Sequence, residues 1–462
     1  MPTSTFDTLT GTGGPVDFST SSSSFAITFD EIAGAATTQQ FKRRTSTTFI
    51  DPVLTVEMWN AANTSLVSSL ASSFDRGFQD ELSSTGSGNC SVLVSDPDAF
   101  TAGVLRYKLD DTYAFAARVE RTEITYVSEG EEANQIVSFN GRGLVCEFED
   151  AIVYPLGGTA ARPISDERAF SWASPELSTT GWRPVTIAVA GVAIQDTLDP
   201  PLHAPWFPPA GWPADLTPSW IWSRGQGVTS MPDGASLFRS SFTMPADGRA
   251  SLFYTADSRC RIWVDGILLE DWTSQPNERS FLFTHRATPY LTAGTHYVAI
   301  EAESRPWLET ISGVSRGIVL AAGYTGGVGG TFNTSTRLFK TDSTWKCLDY
   351  PAVYPAPTPG KILSTLLAEA QARGALTGWS LGCSNTADSA GRPWPVDAAY
   401  TFRIGQSYLD VLRQMADVSI DFSARPVGKV LDVYIKDTVL VATGETFSAG
   451  VNLTELQETV IT

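Results

Sequence analysis

In Val53-Leu54-Thr55-Val56-Glu57-Met58, Leu54, Val56 and Met58 fall on one face of an extended chain, and Thr55 and Glu57 fall on the other. A period of two marks a half-buried strand. The same period recurs at Val92 and Val94, at Phe115, Ala117 and Val119, and at Val137 and Phe139. Between the first two strands, Leu66, Leu70, Phe74 and Phe78 stand four apart and read as one amphipathic helical segment over 66–82. Gly86-Ser87-Gly88 and Asp96-Pro97-Asp98 are turn signals, and Ser128-Glu129-Gly130-Glu131-Glu132 reads as an acidic hairpin tip. Residues 51–165 therefore predict a small, mostly antiparallel β-barrel.

Upstream, the first 25 residues include 15 Ser, Thr or Gly, too little apolar surface to offset the entropy of ordering. Residues 1–50 read as an arm that orders only against a neighbour, closed by the basic patch Lys42-Arg43-Arg44. Downstream the composition changes at about residue 166. Nine of the thirteen tryptophans lie in 166–325, among short strands such as Phe238-Arg239-Ser240-Ser241-Phe242, Leu252 to Tyr254, and Ile262 to Val264 before an Asp265-Gly266 turn. Many short strands with Gly and Pro turns argue for an inserted β-sandwich of the jelly-roll type. Pro200 to Pro218 reads as a stiff connection, and 326–360 as a linker with a return strand.

Residues 361–440 predict a small α+β unit. One helix runs over Lys361–Arg373 with Ile362, Leu363, Leu366, Leu367 and Ala370 inward, stopped by Gly374, and a second over Ser407–Asp417. Strands follow at Ser419–Ser423 and Lys429–Lys436. Residues 441–462 look like the start of a further barrel, as if the sequence were the N-terminal portion of a longer chain. The fold class is thus mainly β and multidomain.

The chain has 462 residues and a net charge of −18, with 25 Arg and 7 Lys among its cations. Two to four domains follow from the length, and the negative balance opposes stable nucleic-acid binding. Cys90, Cys146, Cys260, Cys347 and Cys383 have neither redox-motif nor zinc-knuckle spacing and read as buried free thiols. The N-terminus lacks the basic start and apolar run of a secretory signal, and no apolar stretch approaches a membrane span.

Chemistry-bearing motifs are sparse. The only histidines, His203, His285 and His296, accompany no Gly-x-Ser-x-Gly elbow and no zinc spacing. Gly326 to Gly330 opens no helix and is no phosphate cradle. Carboxylate pairs for glycoside hydrolysis can be drawn from Asp257, Asp265, Glu270, Asp271, Glu301 and Glu303, as chance allows in any acidic chain. No catalytic residue, cofactor or metal site is expected. A glycan-contacting patch is the strongest candidate, drawn from Trp220, Trp222, Arg224, Asp257, Arg259 and Trp272, because exposed indoles stack on pyranose faces. The bland alternative is that Trp220, Trp222 and Trp263 fill the sandwich core.

Two stretches resemble a known family. Residues 53–156, from the opening strand through Gly86-Ser87-Gly88, Val92-Leu93-Val94-Ser95-Asp96-Pro97 and Phe139-Asn140-Gly141-Arg142-Gly143-Leu144, resemble the first barrel of tail hub proteins of long-tailed phages. Residues 360–436, with Gly360-Lys361-Ile362-Leu363 and Gly405-Gln406-Ser407-Tyr408-Leu409-Asp410-Val411-Leu412, look like the small α+β domain of the same hubs. The insert resembles a galactose-binding-like jelly roll through Trp220-Ile221-Trp222, Thr255-Ala256-Asp257 and Trp263-Val264-Asp265-Gly266. The hub resemblance implies a virion structural protein, a minor tail protein or baseplate hub at the tail tip, assembled in the host cytoplasm. It implies a homotrimer that meets distal tail and tail-tube proteins, the tape measure protein and other tail-tip proteins, with DNA only in transit. The jelly roll implies an outer module for host cell-wall polysaccharide. The rival reading is a glycan-binding adhesin or accessory module of a carbohydrate-active protein.

Overall fold

The computed structural model describes residues 25–29, 37–41, 53–80, 82–94, 103–127, 134–156, 165–187, 219, 221–223, 234–256, 259–271, 285–304, 319–325, 337–349, 351–395 and 399–438. The first described elements are β1 (Phe25–Phe29) and β2 (Thr37–Phe41), an antiparallel pair with Phe25 opposite Phe41. Residues 441–462, the turn at 96–98, the tip at 128–132, the run 200–218 and the glycine run at 326–330 lie outside the described residues.

A curled antiparallel sheet follows. Its strands are β3 (Leu54–Trp59), β4 (Leu66–Ser69), β5 (Phe74–Gln79), β6 (Ser87–Val94), β7 (Val104–Leu109), β8 (Thr112–Val127) and β9 (Asn134–Gly143). Their order is β4-β3-β7-β8-β9-β6-β5. Val56, Met58, Val92, Phe115, Ala117, Val119, Val137 and Phe139 all bury into one core with Tyr107, so the period of two marks the inner face. The helical reading of 66–82 is corrected: the segment forms β4 and β5. A spacing of four is also an even number, so the stripe at Leu66, Leu70, Phe74 and Phe78 fits a strand period as well as a helical one.

A short 3-10 helix, Leu144–Asp150, leads out of the barrel, and β10 (Glu167–Phe170) pairs with a strand at 400–403 far down the chain. The sandwich lies between these partners. Its strands are β11 (Arg183–Pro184), β12 (Thr186–Ile187), β13 (Ile221–Trp222), β14 (Gly234–Met244), β15 (Gly248–Ala256), β16 (Arg259–Val264), β17 (Ile267–Asp271), β18 (His285–Ala287), β19 (Tyr290–Leu291), β20 (Gly294–Ser304), β21 (Val319–Thr325), β22 (Arg337–Lys340) and β23 (Lys346–Asp349). One sheet runs β11-β23-β14-β20-β16-β17, and the other runs β12-β13-β21-β15-β18 with β19 on β15 and β22 on β21. Between them Phe238, Phe242, Leu252, Tyr254, Ile262, Val264, Val298, Ile300 and Trp345 form a continuous core. The sheet pairings set the sandwich's extent differently from the expected 166 and 325. Glu167–Phe170 pairs outside the sandwich, whereas Lys346–Asp349 lies beside β14 and Arg337–Lys340 beside β21. The β16–β17 turn is a two-residue Asp265-Gly266 link with φ of 52° and 84°, the left-handed pair that a tight hairpin needs.

The last described unit has α1 (Pro359–Ala372), β24 (Ser380–Leu381), β25 (Tyr400–Arg403), α2 (Tyr408–Ala416), β26 (Ile420–Ala424) and β27 (Val430–Ile435). Thr358 caps α1 by accepting from the Lys361 amide at 3.1 Å, Pro359 sits at the first helical position, and Gly374 at φ 82° ends the helix. Ser407 caps α2 through the Asp410 amide at 3.1 Å. The inward faces of both helices share one core with Leu144, Val145, Phe148, Phe170 and Phe402, and with Val104 and Ala116 of the barrel. The chain before the sandwich and the chain after it therefore build a single body.

Candidate functional site: the sandwich face and the seam cleft

The structure divides the six candidate glycan residues. Trp220, Arg224, Asp257 and Trp272 lie outside the described residues. Trp222 and Arg259 are placed by backbone: Trp222 in β13 opposite Thr186, and Arg259 in β16 opposite Glu303. These two strands belong to different sheets.

Trp263 does not fill the inter-sheet core. Along β16, Cys260, Ile262 and Val264 point inward, so Trp263 faces the outer side of the six-stranded sheet. There it meets Trp172 edge-on at 4.9 Å, beside Leu177, Trp182, Leu237 and Leu348. The segment 171–177 thus covers this face and is held by two arginines. Arg239, 1% exposed, donates to the carbonyl of Leu177 at 2.8 Å and to that of Ser174. Burial pulls its pKa down to about 10. Arg168 donates to Glu176 at 2.8 Å and to Glu369 on α1 at 2.5 Å. Burial opposes its charge, but the two carboxylates carry its pKa above the ordinary arginine value.

His296 and Asp265 form a buried pair. Nδ1 of His296 lies 2.6 Å from Oδ2 of Asp265, and Nε2 lies 2.8 Å from the carbonyl of Thr292. The other oxygen of Asp265 accepts from the Tyr297 amide at 2.8 Å. Both ring nitrogens face acceptors, which favours imidazolium: burial lowers the pKa, and the Asp265 contact more than restores it. With both nitrogens engaged, this imidazole is built as a brace rather than as a base awaiting substrate. Three of the carboxylates that could be paired for hydrolysis are likewise engaged: Glu270 accepts from the Tyr254 hydroxyl at 2.5 Å, Glu301 from the Tyr354 hydroxyl at 3.2 Å, and Asp271 pairs with Arg261 at 3.3 Å. Among the described residues no group of three or more His, Cys, Asp or Glu is placed to hold a metal ion. No described helix is long and apolar enough to cross a membrane. The five cysteines are free, four of them buried, and burial pushes Cys90, Cys146, Cys347 and Cys383 up to about 11.

A concavity of about 390 Å³ opens at the seam between the barrel and the α+β unit. Arg118 and Asp150 pair at 2.9 Å on one wall, and Lys429 and Glu147 at 2.7 Å on another, with Gly103, Val104 and Leu376 among the lining residues. Trp379 donates its indole N–H to Glu147 at 2.8 Å, and Asn63 donates to the carbonyl of Gly428 at 2.9 Å, so the seam is pinned by polar contacts. Sequence reasoning passes over this cleft, because its residues run from Ala61 to Lys429 and no local motif joins them.

No protein-family model matches the chain, and neither does any curated protein sequence. Solved structures with partial similarity include a family GH78 rhamnosidase of Bacillus sp. GL1, at 24% identity over 29% of this chain and 13% of that one, with a TM-score of 0.23. An alpha-L-rhamnosidase of Streptomyces avermitilis matches at 12% identity over 69% of this chain and 23% of that one, with a TM-score of 0.24. A lectin of Pleurotus ostreatus matches at 15% identity over 66% of this chain and 90% of that one, with a TM-score of 0.23. The matched part of this chain spans under a quarter of the length of those two rhamnosidases.

Proposed function

We propose that the chain is a structural, non-catalytic hub of a phage tail tip: a homotrimer that closes or extends the tail tube and carries the sandwich outward. The observation that supports this reading is the composite body. Residues on both sides of the sandwich share one core, from Val104 and Phe148 to Leu366, Leu412 and Val433. An insertion of that kind leaves the body free to assemble while the inserted module faces partners. In this reading the body meets tail-tube, tape measure and tail-tip proteins, DNA passes without adhering, and the virion tail tip is its location. Native mass spectrometry of the purified protein is the test. Trimers that persist on dilution support the hub, and monomers at every concentration refute it.

A second reading concerns the sandwich itself, as the binding part of an adhesin or carbohydrate-active protein. Its support is the two-sheet architecture of the inserted module. Retention of the protein on an envelope-glycan array is the test, and no retention on any host polysaccharide removes the reading.

A further inference from the structure

The segment 171–177 covers only part of the outer face of the six-stranded sheet. On the remainder, β17, β16 and β20 set side chains in two rows: Asp271, Arg261 and Glu301 lie opposite one another in the first, and Leu268, Trp263 and Ala299 in the second. Leu268 is 45% exposed and the Asp271 side chain 39% exposed, so water reaches both rows. Tyr354 joins this face from the connection between β23 and α1. It is 41% exposed, yet its hydroxyl donates to Oε1 of Glu301 at 3.2 Å, and its ring lies 6.4 Å from that of Trp172, which in turn meets Trp263. An aromatic ring on a wet surface keeps its rotamer freedom unless something holds it. Here the hydroxyl is tied to a carboxylate that is 5% exposed, so the ring is a fixed platform and stacking on it costs little ordering entropy.

The guanidinium of Arg261 stands between the two carboxylates, with Nη1 3.4 Å from Glu301 and Nε 3.3 Å from Asp271. Settled charge-assisted bonds of this kind measure about 2.7–2.9 Å. Contacts as long as these let a hydroxyl enter the triad, donating to a carboxylate while accepting from the guanidinium. Two carboxylates against one guanidinium leave the triad net negative, which opposes an acidic sugar. Successive rows on one face of a strand lie about 7 Å apart, the reach of a single pyranose with its hydroxyls.

We propose that this face binds a neutral pyranose, with the C–H face of the sugar on Tyr354 and its adjacent hydroxyls on Arg261, Asp271 and Glu301. The site rests on the reading of the sandwich as the binding part of an adhesin or carbohydrate-active protein, and it names the surface and the sugar class. Tyr354 lies outside the Trp-rich stretch 166–325, and only the return of the chain along β23 brings it to this sheet.

The test uses the full chain. Retention is measured on dextran, galactan, mannan and polygalacturonate. Oligosaccharides of each are then titrated into protein carrying 3-fluorotyrosine and followed by fluorine NMR, with the Tyr354 resonance assigned as the one that Tyr354→Phe removes. Retention on at least one neutral polymer is expected, with a saturable shift of Tyr354 by its oligosaccharide and none by oligogalacturonate. Tyr354→Ala should weaken that retention about tenfold, the loss of one stacking contact. Asp271→Ala, at an exposed side chain, should do the same and serves if Tyr354→Ala does not fold. Retention on a neutral polymer with Tyr354 unmoved would overturn the site and spare the glycan-binding reading. Retention on polygalacturonate alone would overturn the neutral-sugar assignment. Retention on none of the four overturns the site as well, and the envelope-glycan array then decides the reading by itself.

Discussion

Replacing Arg168 with methionine should loosen the sandwich from the body. The side chain is 4% exposed and its partner Glu176 is 5% exposed, whereas Glu369 is 28% exposed. Methionine keeps most of the aliphatic bulk beside Phe170, over whose ring the guanidinium lies at 5.1 Å, so packing changes little. The cost comes from Glu176, whose second oxygen already lacks a hydrogen-bond partner and whose first loses its cation. Stranding a buried carboxylate costs about 3–5 kcal/mol. Glu369 hydrates and adds little. Arg168→Met/Glu176→Gln removes the stranded charge, so the double variant should regain about 1–3 kcal/mol relative to the sum of the single ones. Urea unfolding followed by tryptophan fluorescence gives the free energies, and hydrogen exchange of 171–177 shows where the loss falls, since that segment opens first if Arg168 holds it. A loss below about 1 kcal/mol for Arg168→Met, or a double variant that is merely additive, would refute the assigned role.

Three further outcomes follow from the same contacts. The folded pKa of His296 is raised above its ordinary value of 6.5, so its stabilisation is full below that value and is lost as pH rises through the folded pKa. His296→Gln should flatten the stability of the sandwich across that window, as read by thermal melts at a series of pH values. Gly143→Ala would put a methyl 1.9 Å from the carbonyl of Thr85, so the barrel must shift, and the melting temperature should fall by several degrees in calorimetry. Trp222→Ala and Arg259→Ala should each weaken retention on whichever envelope glycan holds the parent protein, while leaving its mass in native mass spectrometry unchanged.

The strands of the barrel were legible wherever one face is buried and the other is wet, as at Val56 and Met58 or Val137 and Phe139. Both helices were legible from the spacing of their inward apolar residues, and Gly374 marked the end of the first, whereas the Thr358 cap that starts it at Pro359 came only from the structure. The stripe from Leu66 to Phe78 was not, because spacings of four satisfy two periods at once and only the pairing with β3 and β6 decides between them. Nor was the extent of the sandwich, since the β10–β25 pairing joins Glu167 to Arg403 across an entire domain. Strand partners at such separations leave no local pattern. The six glycan candidates came from residue type alone, and Trp263 shows why type is a weak guide: alternation along β16 turns it outward onto Trp172 rather than into the core.

Negative-stain class averaging of the purified chain across a range of concentrations tests the hub most directly. The account predicts threefold rings with a central opening and three peripheral lobes for the sandwiches. Single particles without rotational symmetry at every concentration would contradict it.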